Sequence, residues 1–295
     1  MPRTGTSWLA RVLSTAAGYT YYREPDNFEH VAEAQRYFQY LYLPEGADDE
    51  HYRRLMERAL KGEVATRFTM AQSPGPILER LPRRWRHLGD RFPALYLRQP
   101  GILVKLVHSN LALDWLHEHF PDARQVYLVR HPCGQFASWA RLGWTPEPRM
   151  LLEDDALVHD HLRPYAEVIR AADTFWERAG ALWGAVNLVV ARQREIQPHG
   201  ALLQFEWLCE DPPARFRTVF DRLGLSWTRA TEEFLSTHDQ HDSSPYSMQR
   251  RSTDEISKWK AELPPASVEE CRRFVEPFDL PWFPDFEPRA SDPQW

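Results

Sequence analysis

Two short apolar segments, separated by the length of one helix, constrain the fold more than any other feature of this sequence. GILVKLV covers residues 101–107 and RQVYLV covers residues 124–129. Strands joined by a helical crossover pair in parallel, and parallel sheets are covered by helices on both faces. The spacing therefore predicts an α/β fold with an open parallel sheet.

Other segments extend this arrangement. Further strands are predicted at residues 19–22 and 201–206, and helices after Pro132 and at about 163–195, 214–223 and 266–276. Residues 27–90, mostly amphipathic helix in pattern, and residues 143–180 are expected to form helical caps. At 295 residues the chain is expected to fold as one domain, 1–295.

Charge and cysteine content narrow the class of protein. The net charge of −6 argues against a nucleic-acid partner, which would need a strongly basic face. The sequence contains no apolar run that could cross a membrane and no secretion signal, which favours a cytoplasmic setting. Cys133, Cys209 and Cys271 are too few and too far apart for a disulfide framework or a cysteine-based zinc site. No metal is expected, and the oligomeric state stays open.

The opening residues, MPRTGTSWL, carry the strongest functional signal. Gly5, Thr6 and Ser7 precede a helical periodicity, so their backbone N–H groups and the helix dipole could hold an anion. Arg3 adds a planar guanidinium suited to phosphate or sulfate oxygens. An ordinary capped helix start would explain a Gly-Thr pair alone. One glycine without a Lys-Ser/Thr pair differs from the loops that bind nucleotide triphosphates, which makes ATP a less favoured ligand.

The opening segment resembles the 5′-phosphosulfate loop of sulfotransferases that use PAPS (3′-phosphoadenosine 5′-phosphosulfate). A second segment, VYLVRHPCGQFASWARLGW, places Arg130 at a strand end and Ser138 in the following helix. In that family an arginine and a serine at this spacing bind the 3′-phosphate. Without the resemblance, Arg130 could pair with a local carboxylate and Ser138 could lie on a solvated face.

Two more segments strengthen the resemblance, which spans residues 2 to about 276. FEWLCEDPPARFRTVFDRLGLSW is similar to the family's segment beside adenine, with Phe205 where a tyrosine is common. QRRSTDEISKWK is similar to the C-terminal basic loop over the 3′-phosphate, although it lacks the glycines of the cytosolic eukaryotic pattern. The resemblance implies a P-loop-like fold and a bacterial-type enzyme that transfers a sulfuryl group from PAPS to an acceptor hydroxyl.

The resemblance also assigns roles to individual residues. Donor binding is expected from Arg3, Thr4, Gly5, Thr6, Ser7, Trp8, Arg130, Ser138, Phe205, Arg250 and Arg251. Arg3 would also be catalytic, as an electrostatic clamp on the leaving phosphate. Glu24 and His108 are both candidates for the base that deprotonates the acceptor, with Glu24 preferred, and each could instead be an ordinary strand-end residue. Lys105 could support the donor or the acceptor electrostatically.

The acceptor is expected to be a small molecule or glycan. A carbohydrate or glycolipid hydroxyl is the first expectation, and a small phenol or alcohol is the second. Five aromatic residues could line its site or belong to the core: Tyr37, Tyr40, Tyr42, Trp144 and Trp176. A P-loop-type small-molecule kinase and a non-catalytic nucleotide-binding relative stay open as alternative functions.

The position of the anion loop raises one expectation about the sheet. In the family this loop follows a central strand, which here would lie before Met1. The sequence therefore predicts that the first strand is missing from the chain, with a truncated or misassigned start.

Overall fold

The strands form two parallel pairs in the computed structural model, which describes residues 1–37, 40–64, 66, 68–70, 101–193, 200–238, 252–288 and 292–293. The strands are β1 (Tyr19–Arg23), β2 (Gly101–Lys105), β3 (Val126–Val129) and β4 (Ala201–Gln204). β1 pairs with β2 and β3 pairs with β4, each in parallel along its full length. The predicted parallel α/β fold is confirmed. Among the described residues, the expected sheet is present as two separate pairs, and a strand before Met1 stays a prediction.

Helices connect and surround these strands. They are α1 (Thr6–Leu13), α2 (Glu50–Leu60), α3 (Leu113–His119), α4 (Pro132–Leu142), α5 (Ala166–Ala171), α6 (Phe175–Arg192), α7 (Phe205–Glu210), α8 (Pro212–Leu223), α9 (Arg229–His238), α10 (Ser252–Glu262) and α11 (Pro265–Val275). Shorter helical turns cover Ala32–Ala34, Pro148–Glu153, Asp155–Leu157, Val158–Leu162, Arg163–Tyr165, Glu276–Phe278 and Pro284–Phe286. Within the described part of the chain, no helix is long and apolar enough to span a membrane.

Alternating side chains on the strands show how both faces are covered. Ile102 and Val104 of β2 contact the apolar cluster around α2 and α3, whereas Leu103 between them contacts the cluster around α1, α7 and α8. Leu128 of β3 contacts that same α1 cluster, while its neighbours Tyr127 and Val129 face the cluster of α4, α6 and α11. Because successive strand side chains point to opposite faces, helices flank both sides of the strands.

Two local predictions were wrong, and one helical region is divided. The helical region expected over about 163–195 is present as a short turn, α5 and α6, and it is interrupted before α6, where the Thr174 side chain and Glu177 form a capping box that starts a new helix. The strand expected over 201–206 ends at Gln204, since Phe205 and Glu206 already belong to α7. The segment 27–90 is mostly not helical in its described part, where α2 and one short turn are the regular elements, and 71–100 lies outside the described residues.

Candidate active site

A cavity of about 740 Å³ opens where the strands end. Glu24 follows β1, Lys105 ends β2, Arg130 follows β3 and Phe205 follows β4, and all four line the cavity together with His108. Parallel strands bring their carboxyl ends to one edge, the usual place for ligands in open α/β sheets. The volume is within the range of roughly 300–1,000 Å³ typical of small-molecule sites.

The predicted anion loop forms one wall of this cavity. Its lining residues include Arg3, Gly5, Thr6, Ser7 and Trp8. α1 starts at Thr6 without a side-chain cap, so the positive end of its dipole is available to an anion. Gly5 has a φ of 97°, and a Cβ atom on it would overlap the ring of Phe205. The glycine is therefore required by both the backbone conformation and the close contact.

α4 holds the loop in place. Gln135 Nε2 and Trp139 Nε1 donate to the carbonyl oxygen of Pro2 at 3.0 and 3.3 Å. Arg3, whose φ is 67°, donates from Nε to Ser138 Oγ at 2.8 Å. Ser138 does not line the cavity, so in this structure it orients the loop arginine and links the two predicted phosphate sites.

A buried ion pair connects the loop to one base candidate. Lys105 Nζ donates to Ser7 Oγ at 3.0 Å and also to Glu24 Oε1. Asn27 Nδ2 donates to the other carboxylate oxygen of Glu24 at 3.0 Å, and Arg23 Nε lies 3.6 Å from Oε1. Burial alone would raise the pKa of Glu24, but Lys105, Arg23 and Asn27 outweigh it and hold that pKa below 4.5. Desolvation in turn lowers the pKa of Lys105.

His108, the second base candidate, is held in place by Asp26, which lies in the segment that follows β1. The buried carboxylate of Asp26 accepts hydrogen bonds from Val107 N at 3.1 Å, His108 N at 2.8 Å and Ser109 Oγ at 2.8 Å. The ring of His108 packs edge-on against Phe28, with 5.2 Å between centroids. Asp26 and Asn27 thus support both base candidates. Sequence reasoning missed them, and their position just after Glu24-Pro25 was the available signal.

Arg130 lies between an aromatic ring and a carboxylate. Its guanidinium carbon is 4.2 Å from the ring centre of Phe205, which also contacts Trp8 edge-on at 6.0 Å. Arg130 Nη2 is 3.3 Å from Glu255 Oε2, and its Nη1 donates to the Arg3 carbonyl at 3.4 Å. The sequence alternative of pairing with a carboxylate therefore applies here, and Glu255 is a cavity residue that sequence reasoning missed.

Behind Arg130, buried polar groups fix the start of α4. Glu206 Oε1 accepts from His131 N at 3.0 Å, and burial raises the pKa of Glu206 to about 7. The ring of His131 stacks on Trp259 at 4.5 Å and makes a 3.1 Å contact from Nε2 to the Phe286 carbonyl. Burial lowers the pKa of His131 to about 3, so the imidazole is neutral. These contacts hold the strand end that carries Arg130.

The remaining predicted residues lie elsewhere. Thr4 is buried and donates to the Met1 carbonyl at 3.0 Å, away from the cavity lining. Arg250 and Arg251 lie outside the described residues. Of the five acceptor aromatics, Trp144 lines the cavity, and the others pack in or against apolar clusters: Tyr37, Tyr40, Tyr42 and Trp176. Among the residues that the structure describes, no three His, Cys, Asp or Glu side chains are grouped as a metal site requires.

Comparison with known proteins places the chain in a family. A model of the sulfotransferase family matches residues 1–229. Among solved structures, a sulfotransferase domain from the curacin biosynthetic pathway is similar, with 15% identity, 94% of each chain covered and a TM-score of 0.45. A search of curated proteins gave no match. Because the family model covers well over half of the chain, this protein belongs to the sulfotransferase family, whose enzymes transfer a sulfuryl group.

Proposed function

We propose that the protein transfers the sulfuryl group of PAPS to an acceptor hydroxyl, with Glu24 as the base. The observation that carries this proposal is the double hydrogen bond of Lys105, which reaches Ser7 on the anion loop and Glu24 beside it. The buried ammonium of Lys105 thereby connects Ser7, which is suited to bind the leaving phosphate, with Glu24, which is suited to deprotonate the incoming nucleophile.

The lining of the cavity fits such a donor. Arg3, Lys105 and Arg130 supply positive charge for its phosphate and sulfate groups, and the uncapped start of α1 adds the helix dipole. Phe205 and Trp8 offer aromatic surface for adenine. PAPS, when bound, supplies the activated sulfuryl group, and the reaction leaves adenosine 3′,5′-bisphosphate (PAP).

The chemistry asks the protein for positioning and charge stabilisation, as in phosphoryl transfer. Glu24 accepts the proton of the acceptor hydroxyl. At the same time the hydroxyl oxygen bonds to sulfur, and the bond between sulfur and the phosphate oxygen of the donor breaks. Arg3 and Lys105 stabilise the negative charge that develops on that phosphate oxygen. Arg3 keeps its proton throughout, so its role is electrostatic.

Two features favour Glu24 over His108 as the base. Its lowered pKa keeps the carboxylate ionised at neutral pH, in the form that can accept a proton. It is also hydrogen-bonded to Lys105, which donates to Ser7 of the anion loop as well.

For the acceptor we propose a carbohydrate or glycolipid hydroxyl. Phe28, Trp139 and Trp144 line the cavity, and Trp144 is 39% exposed. The rings of the two tryptophans meet edge-on at 5.6 Å. Flat aromatic surface beside polar groups suits a ring-shaped acceptor that has both apolar faces and hydroxyls.

Radiolabelled PAPS with a panel of sugar, glycolipid, phenol and alcohol acceptors tests the reaction. Glu24→Gln should lower kcat at least about a hundredfold, the usual contribution of a general base, while PAP still raises the melting temperature. Glu33→Gln is the matched control, because Glu33 is also ion-paired, to Arg58 at 2.8 Å, but does not line the cavity.

Each part of the proposal has its own contrary result. Stabilisation by ATP with Mg²⁺ but not by PAP would make the proposed donor wrong and favour a kinase. Loss of turnover in His108→Gln with near-native turnover in Glu24→Gln would transfer the base role to His108. PAP binding without transfer to any acceptor would indicate a non-catalytic relative.

A further inference from the structure

The carboxylate of Glu255 is paired with Arg130, the arginine that under the proposed function binds the donor. Glu255, on α10, lies with Oε2 at 3.3 Å from Arg130 Nη2, and Lys258 Nζ lies 3.5 Å from its other carboxylate oxygen. The side chains of Arg130 and Glu255 are 10% and 9% exposed, and both residues line the cavity. This pair therefore faces the same space that a nucleotide would enter.

The contact leaves Arg130 with capacity for another anion. It is a single contact at the long end of the hydrogen-bond range, not the paired contact that a guanidinium can make with a carboxylate. Arg130 Nε is buried and has no hydrogen-bond partner among the described residues. A phosphate monoester carries about −1.5 to −2 charge and three acceptor oxygens, so it suits this guanidinium better than one carboxylate oxygen does.

We propose that Glu255 lowers the affinity of the protein for the donor by competing with the donor's 3′-phosphate for Arg130. This inference rests on the proposed function, in which Arg130 binds that phosphate. Without nucleotide, Glu255 compensates the buried charge of Arg130, which would otherwise be costly. When the donor binds, the 3′-phosphate replaces the carboxylate, and the affinity reflects the difference between the two pairs. Glu255 thereby weakens the hold on PAP and assists its release after transfer.

Calorimetric titration with two nucleotides tests this competition. PAP carries the 3′-phosphate, whereas adenosine 5′-phosphate lacks it. Glu255→Gln should raise the affinity for PAP at least tenfold and change the affinity for adenosine 5′-phosphate less than twofold. Glu262→Gln is the matched control: Glu262 lies on the same helix and pairs with Arg141 at 2.5 Å, outside the cavity lining. It should change neither affinity.

The possible results distinguish a failure of the competition between Glu255 and the 3′-phosphate from a failure of the proposed function. If the wild type binds PAP and Glu255→Gln binds it equally or more weakly, the competition is wrong and the proposed function stands. Equal tightening of both nucleotides would also overturn it, since the effect would not depend on the 3′-phosphate. Failure of the wild type and the variants to bind PAP would overturn the proposed donor as well. Glu255→Ala, with the ligand-free melting temperature as a folding check, repeats the test if the glutamine variant is unstable.

Discussion

Replacing the buried Glu206 by glutamine should stabilise the protein selectively at high pH. The side chain is fully buried, and its Oε2 has no hydrogen-bond partner in the described part of the chain. Burial raises the pKa of Glu206 from 4.5 to about 7, despite the nearby charge of Arg130. Since one pKa unit corresponds to about 1.36 kcal/mol, the ionised carboxylate costs the folded state about 3 kcal/mol.

The sign of the pH dependence follows from the direction of this shift. A carboxyl group whose pKa is higher in the folded state contributes stability below pH 4.5, and that contribution is lost as the pH rises through about 7. Glutamine is neutral at every pH, and its amide oxygen can still accept from His131 N. The variant's unfolding free energy minus that of the wild type should therefore rise by about 2.5 kcal/mol between about pH 5 and about pH 8.

Urea unfolding without ligand, followed by tryptophan fluorescence across this pH range, measures the difference. Taking the difference at each pH removes the contribution of every other titrating group, and any constant effect of the amide cancels. Glu210→Gln is the matched control for the chemical change, because Glu210 lies at the end of the same helix in an exposed ion pair with Arg215 and is not buried as Glu206 is. A flat difference for Glu206→Gln would refute the reasoning, since its pKa would then be the same in the folded and unfolded states.

Three further substitutions test the loop and its supports. Lys105→Met removes the ammonium that donates to Ser7. Turnover with PAPS should fall at least about tenfold, because hydrogen bonds of charged groups contribute ~1.5–3 kcal/mol. Unchanged turnover would contradict a role of Lys105 in stabilising the leaving phosphate. Gly5→Ala places a methyl group against the ring of Phe205, at a backbone position with a left-handed conformation. The melting temperature and the affinity for PAP should therefore both fall. Native values of both would contradict the close contact between Gly5 and Phe205. Asp26→Asn leaves its donors with a poorer acceptor and should cost about 1–3 kcal/mol in urea unfolding, and a loss within measurement error would contradict its anchoring role.

Periodicity and spacing were sufficient to predict the parallel α/β fold. β1, β2 and β3 lie inside or close to the predicted segments, because short apolar runs between turn-forming residues are local signals. The boundary between β4 and α7 was not predictable in this way. Gln204 and Phe205 belong to one apolar segment, and the switch from strand to helix inside it depends on tertiary packing.

The candidate site was predictable at strand ends and not in its pairings. Glu24, His108 and Arg130 are candidates because of the family resemblance, and all three line one cavity, since parallel strands bring the residues that follow them to one edge of the sheet. The contact between Lys105 and Ser7 spans 98 positions, and that between Arg130 and Glu255 spans 125. No local pattern encodes such contacts, since they arise only when separate elements pack together.

The two buried ion pairs of the cavity place different demands on donor binding. Lys105 is paired with Glu24 and Arg130 with Glu255, so these two buried cations are already compensated before any anion arrives. An anionic donor must therefore gain its affinity by exchanging these contacts, not by neutralising bare charge. Glu24 has to keep its place beside Lys105, because under the proposed function it accepts the proton of the nucleophile. Glu255 has no such task, and its release from Arg130 leaves the chemistry intact. The carboxylate on α10 can thus set the affinity for the donor and its product without changing the reacting groups.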